Sequence, residues 1–409
     1  MSISQPKFLQ IHTLTSYPAS LLNRDDAGFA KRMPFGGVTR TRISSQCLKR
    51  HWRTFEGKHS LSSVGLPMSV RSRYTFDLHI RKPLIEEGIP EDKATAVVEA
   101  IAAQVLGKSA KAERVKKNQE DEDEKTSLRT GQITVLGRPE VEFLLGEART
   151  ICGEIEDSKE ASKACKDRFS GEAKKNLQAL KKAAAGLDGA LFGRMVTSDI
   201  LARGDAAVHV AHAFTVHGEE SESDYFTAVD DLLREQEEDE ALGSGHLGNS
   251  ELTSGLFYGY AVIDIPLLVS NLEGCAAIDW LTTDREIASE VVRNLIHLIA
   301  TVSPGAKLGS TAPYAYASAM ALEWGDSQPC TWANSFLAPV SNNGSLLEGA
   351  AKAWSTHVKD IDSMYNPGNH RRVAALQSIA DAVTPIADEG SILSVENLAS
   401  WAAERVKEG

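Results

Sequence analysis

The sequence predicts an α+β fold, a core sheet with helices on one side. Three observations carry this. Phe8–Thr15 (FLQIHTLT), Val208–His217 (VHVAHAFTVH) and Leu256–Ile265 (LFYGYAVIDI) are strand-type runs, the last two alternating between faces. Ile287, Val291, Leu295, Leu298 and Val302 recur at helical spacing behind the capping-box pattern Thr283-x-x-Glu286 and stop at Pro304-Gly305. The order strand, long excursion, strand, helix then follows an N-terminal strand and helix.

Taken in order, the first strand closes at Tyr17-Pro18 and a polar cluster, Asn23 to Asp26. Lys31–Thr41 reads as an exposed, glycine-containing loop, with Pro34 and Gly36-Gly37 arguing against helix. A helix over Ser45–Glu56 follows, capped by serine. Leu48, Trp52 and Phe55 lie on one face; Gln46, Lys49, Arg50 and Arg53 share another. Residues 61–189 form a mainly helical insertion. Ala94, Val97, Val98, Ile101 and Val105 mark one helix, and Val141, Leu144, Leu145, Ala148, Cys152 and Ile155 a second. Between them Ser109–Gly131, charged and poor in large apolar residues, reads as a mobile linker. Gly218–Leu242 carries eleven acidic residues against one arginine and, with the Gly/Ser-rich stretch after it, reads as a long excursion from the sheet. A strand over Tyr314–Leu322 and a last helix over Val395–Val406 complete the chain.

Bulk properties exclude several classes. The 409 residues carry a formal net charge of −12 and 42% hydrophobic residues, ordinary for a soluble globular protein. No secretory signal and no apolar run of the ~20 residues needed to span a bilayer is seen, so a cytoplasmic location without membrane contact is expected. Five scattered cysteines without a C-x-x-C read as free thiols. Phosphate-loop, zinc-protease, nucleophile-elbow and zinc-ligand patterns are all missing, so neither cofactor nor metal is expected. His209 and His212 would point to opposite faces of one strand, and His209 and His217 would stand roughly 26 Å apart at ~3.3 Å per residue, which argues against a shared metal.

One segment departs from the acidic whole. Arg24–Arg53 holds eight Arg or Lys and two Asp, hence about +6 in thirty residues. Cations concentrated in an acidic chain, beside a helix N-terminus with its free donors, fit a polyanion such as a nucleic-acid backbone. The other reading is a solvated basic face, or one that meets carboxylates of a neighbouring subunit. Asp25-Asp26 is a candidate metal or acid/base pair, against a turn or an ion pair with Arg24. His12 is a candidate base for RNA cleavage, against a hydrogen-bonded core histidine.

LNRDD (Leu22–Asp26), FGG (Phe35–Gly37), R-x-R-I-S-S-Q-x-L-K-R (Arg40–Arg50), GRMVTSD (Gly193–Asp199), AHAFTVH (Ala211–His217), DYFTAVDDL (Asp224–Leu232), GHLG (Gly245–Gly248), S-G-L-F-Y (Ser254–Tyr258) and PGAK (Pro304–Lys307) occur in that order. Together they resemble the CasC (Cse-type) family, the repeated CRISPR-RNA-binding backbone subunit of the type I-E CRISPR surveillance complex, Cascade. The resemblance covers the first sixty residues and about 189–307.

It implies a modified RNA-recognition (ferredoxin-like) palm over 1–60, 190–213 and 257–409, the last with C-terminal helices. It further implies helical fingers at 61–189 and a protruding thumb hairpin at 214–256. The implied function is non-catalytic: copies line up as a helical filament on one CRISPR RNA and present it for pairing with target DNA in antiviral defence. Implied partners are that RNA, the complementary DNA strand, further copies of the chain, and the large, small, guide-end-capping and crRNA-processing subunits. Arg24, Lys31, Ser44, Gln46, Lys49 and Arg53 fall on positions resembling the family's RNA-contacting palm. Met195 resembles its apolar wedge beside a displaced base, and Tyr225, Phe226 and Thr227 its thumb tip. Related subunits of other CRISPR types cut RNA with a loop aspartate, so the alternative is a ribonuclease using Asp25/Asp26.

Overall fold

The structure is a computed structural model that describes residues 7–107, 112–115, 127–179, 185–194, 204–228, 246–306, 311–388 and 391–409. It is a mixed α+β chain, as expected, and its contacts divide it into two units. One comprises 1–61, 209–263 and 289–409; the other comprises 62–208 and 264–288. These contact units are a different division from palm, fingers and thumb.

The first unit is built on a mixed sheet. Its elements are β1 (Phe8–Ser20), β2 (Arg32–Phe35), β3 (Val38–Ile43), α1 (Ser45–Thr54), β4 (Ala213–Thr215), β5 (Glu220–Ala228), β6 (His246–Asp264), α2 (Glu286–Thr301), β7 (Ala319–Gly325), α3 (Leu346–Tyr365), β8 (His370–Ala375), β9 (Ile392–Leu393) and α4 (Val395–Glu408). The strand order is β9-β8-β7-β1-β6-β4-β3-β2, with β5 paired to β6. At its centre lies the order β7-β1-β6-β4, and the chain reaches these four strands as β1, α1, β4, β6, α2, β7.

Helices cover both faces of this sheet, where the sequence predicts one. On one side Leu48 and Trp52 of α1 and Ile299 of α2 enclose, with Ile11, Thr13, Tyr17 and Phe257, a cavity of about 40 Å³. On the other, Ala350, Ala351, Trp354 and Val358 of α3 pack on Leu14, Tyr258, Ala321 and Val373. That is why β1 is buried at Leu9, Ile11 and Leu14 and equally at Gln10, His12 and Thr13. Gln10 and His12 lie on the α3 side, His12 edge-on to Trp354 of α3, a twenty-residue helix that the sequence reading overlooks, while Thr13 lines the cavity on the other side. His12 is fully buried, stacked on Trp332 at 3.7 Å. It contacts the Tyr258 hydroxyl at 3.0 Å and lies 3.4 Å from Glu323, which Arg371 holds at 2.7 Å. Burial pushes its pKa down, so it is a neutral core histidine.

Three further expectations change. Lys31–Thr41 is mostly a β-hairpin, β2–β3, whose Gly36 and Gly37 both take positive φ, as a two-residue type I′ turn requires. Pro34 is tolerated because β2 is the sheet edge. Val208–His217 is two short strands, Val208–Val210 and β4, broken at Ala211-His212, and 213–217 is buried throughout. The break defeats the predicted alternation. In the second unit, the ends of the supposed linker pair as strands, Ala112–Val115 with Ser127–Thr130; the residues between lie outside the described ones. Helices Glu91–Leu106 and Arg138–Glu154 form as predicted and share a core with Ala161–Ser170 through Val97, Ile101, Leu144 and Phe169.

Arg40 is one of the eight basic residues of the N-terminal segment, yet it is 0% exposed. Its guanidinium donates to the carbonyls of Phe35 (3.1 Å), Thr215 (3.1 Å) and Phe336 (2.8 Å). It thereby joins the β2–β3 hairpin, β4 and the segment after β7. Gly36 closes over the same place: a Cβ there would lie 1.8 Å from the Leu337 carbonyl oxygen. Arg40→Met keeps much of the volume but removes all three of these hydrogen bonds. The expected loss is about 3 kcal/mol, read as a lower denaturant midpoint at unchanged slope.

Candidate nucleic-acid interface

The loop ahead of β2, the end of β3 and the start of α1 are tied together by backbone geometry. Lys31 N–H donates to the Asn23 carbonyl (2.9 Å), Arg42 N–H to the Lys31 carbonyl (2.8 Å), and Ser44 N–H to Asn23 Oδ1 (2.9 Å). Ser44 then caps α1: its hydroxyl accepts from Cys47 N–H at 3.3 Å. At the far side His51 Nδ1 donates to the Cys47 carbonyl (2.8 Å), and its Nε2 accepts from Gly305 N–H (3.3 Å). Ala306 N–H meets the Leu21 carbonyl at 3.0 Å. The Pro304–Ala306 segment is thus fastened against α1.

Cations converge on this corner. The Cys47 thiol is pushed up to about 11 by burial, against a downward pull from Arg50 and Lys31. Arg42 donates to His212 Nδ1 at 2.9 Å. The His212 imidazole is held below its usual pKa by burial, then by Arg42 and Lys31. Lys49, half-buried, is pushed down by desolvation. So Lys31, Arg42 and His212 share one positive environment beside the start of α1, and Lys31 and Arg50 both act on Cys47 within it. Gln46 and Arg50 are exposed, and Arg53 is half-buried.

Not every predicted residue joins this corner. Ser44 is buried, 6% exposed, and occupied as the cap. Arg24 is exposed on the loop and lines a separate polar cleft of about 510 Å³ between that loop and the β5–β6 hairpin, with Phe29, Ser221, Asn249 and Glu251. Tyr225 is 65% exposed and opposite Asn249 on that hairpin; Phe226 and Thr227 follow it in β5, opposite Gly248 and Leu247. Met195 lies outside the described residues. Arg32 is taken by Glu219 and Glu251, so part of the acidic excursion neutralises part of the basic segment. Asp25 builds its own turn: Oδ1 accepts from Ala27 and Phe29 N–H, each at 3.0 Å. His209 and His212 are exposed, while His217 is buried and accepts from Leu256 N–H. The sequence reading passes over Asn23, Arg42 and His212 as site residues. The signals were the Asn of LNRDD, the arginine two before the cap, and the strand break before Ala213.

No helix among the described residues is long and apolar enough to cross a membrane. The family model described as CT1975-like protein matches residues 9–401. No curated protein matches the chain. It is similar to a chain of a solved structure described as "CRISPR RNA-guided surveillance complex, pre-nicking", with 26% identity and a TM-score of 0.73. The match covers 97% of this chain and 100% of that one. A second, "CRISPR RNA-guided surveillance complex", is 22% identical with a TM-score of 0.61 over 90% of this chain and 92% of that one, a likeness of fold.

The cationic corner makes a pH prediction. Burial, then Arg42 and Lys31, lowers the His212 pKa, and phosphates placed beside it would favour the protonated ring, so binding a polyanion takes up a proton. RNA affinity is expected to rise as pH falls from 7.5 through the ordinary histidine range near 6.5, and His212→Gln to flatten that rise, both read from binding isotherms at constant ionic strength.

Proposed function

The chain belongs to the CT1975-like protein family, and from that premise we propose that it is a CRISPR-RNA-binding component of a CRISPR surveillance complex. In this reading it is a non-catalytic backbone subunit, repeated along the guide in a helical filament of the type I-E Cascade kind. The observation that carries the reading is the gathering of Lys31, Arg42 and His212 beside the capped start of α1, with exposed Arg50 on the same helix, in a chain of net charge −12. Cations, an exposed amide at Gln46 and a helix N-terminus grip sugar and phosphate, which every guide sequence presents alike.

The central β7-β1-β6-β4 order, with α1 and α2 in the crossovers, has the chain path of a ferredoxin-like β-α-β-β-α-β unit, and this supports a palm of RNA-recognition type. The fingers are then 61–189 and the thumb 214–256, with β5 and the first half of β6 as its arms. Thumb-tip contacts fall to Tyr225, Phe226 and Thr227, and the wedge to Met195. Partners are the guide, the complementary DNA strand paired to it, neighbouring copies, and the large, small, end-capping and crRNA-processing subunits. The cytoplasm is the expected location.

Lys49→Ala is expected to weaken RNA retention about three- to tenfold, equally across unrelated guide sequences, and to reduce the slope of log affinity against log salt by about one. Loss for some guides only would count against backbone recognition. The ribonuclease alternative rests on Asp25 and Asp26. One Asp25 oxygen already holds two backbone donors, which supports the non-catalytic reading. Assembled complex incubated with complementary RNA and Mg²⁺ is expected to leave that RNA intact. Regularly spaced products abolished by Asp26→Ala would replace the proposal with the alternative.

A further inference from the structure

We infer that Tyr314 and Tyr316 form a base-stacking platform for single-stranded RNA beside the cationic corner of α1. The two rings are among the most exposed large side chains of the described residues, 82% and 73% exposed. They flank Ala315, and along 314–316 exposure alternates, the two tyrosines exposed and the alanine between them half-buried.

The residue between them explains why they stay outside. Ala315 packs against the cluster of Tyr17, Leu22, Ile43, Ala213 and Phe257, together with Cys47 and Leu48 of α1. Its N–H donates to Ser303 Oγ at 3.0 Å, and the same hydroxyl donates back to its carbonyl at 3.0 Å. Ala317 N–H is fixed to the Ala300 carbonyl at 2.8 Å. With Ala315 held inward, Tyr314 and Tyr316 are held outward on a fixed backbone, so little ordering remains to be done when a ring is covered.

The platform is tied to the basic segment and to α1 by a continuous set of contacts. Ser303 holds Ala315, Gly305 holds His51 of α1, and Ala306 holds Leu21, two residues before the Asn23 that orders Lys31 and Ser44. Exposed aromatic rings next to a basic corner are the combination that binds single strands without reading sequence: the cations follow the phosphates, and any base offers a face to stack. The charge of the neighbouring corner favours a nucleic acid over an apolar protein partner. The inference rests on the RNA-binding reading above and adds base contact to its backbone contact.

The test uses the full-length protein with two single-stranded RNAs of equal length, one ordinary and one in which the bases are replaced by abasic units. Wild type is expected to bind the ordinary strand more tightly. Tyr314→Ala/Tyr316→Ala should lose about tenfold or more on the ordinary strand and little on the abasic one, with the salt slope unchanged. Tyr314→Phe/Tyr316→Phe should retain the difference. Equal losses on both strands, or none on either, would overturn the platform. So would RNA binding that is unaltered while the RNA-free protein changes its oligomeric state, which would assign the rings to a protein contact. Wild-type protein that binds neither strand would instead defeat the RNA-binding reading itself.

Discussion

The N-terminal half of the sheet depends on one buried guanidinium. Arg40 has no carboxylate partner among its hydrogen bonds; three carbonyls, from the hairpin turn, β4 and the segment after β7, receive its donors. A charge is costly to bury, and this arrangement offsets that cost by giving the guanidinium three carbonyl acceptors away from water. The consequence is geometric. β3 cannot shift without breaking contacts to three separate stretches of chain, and β3 runs straight into the Ser44 cap of α1.

From that anchor the candidate interface follows by short steps. Asn23 binds both Lys31 and Ser44, and His51 and Leu21 hold the Pro304–Ala306 segment beside α1. On the opposite face of the sheet, β1 carries a second polar arrangement. His12, Glu323, Arg371 and Tyr258 gather beneath Trp332 and Trp354, with Tyr258 against His12 Nδ1 and Arg371 on Glu323. Both arrangements set chain segments in register.

Electrostatics divide the basic segment into parts with different work. Arg40 is internal. Arg32 is neutralised by Glu219 and Glu251 at the base of the β5–β6 hairpin, which fastens the hairpin to the edge strand. Lys31, Arg42 and Arg50 remain close enough to depress the pKa of His212 or oppose the rise at Cys47. Local repulsion of this kind is what an arriving polyanion relieves.

Local pattern was enough to find the strands at Phe8 and Leu256, the helices at Ser45, Glu91, Arg138, Glu286 and Val395, and the α+β class, because burial periodicity and capping are written in neighbouring residues. It also located the basic segment, and the ordered motifs pointed to its family. It could not divide that segment. Whether an arginine faces solvent, a glutamate or three carbonyls depends on residues far away in the chain: Arg40 on Thr215 and Phe336, Arg32 on Glu219 and Glu251, Arg42 on His212. Gln10 and His12 blurred the alternation of β1 because residues far later in the chain cover them, Cys330 over Gln10 and Trp332 with Trp354 of α3 over His12. Composition and order alone determined that the chain concentrates positive charge beside a helix start. Only the tertiary structure decided which of those charges are spent inside the protein and which are left to meet a partner, because that choice is made by long-range contacts.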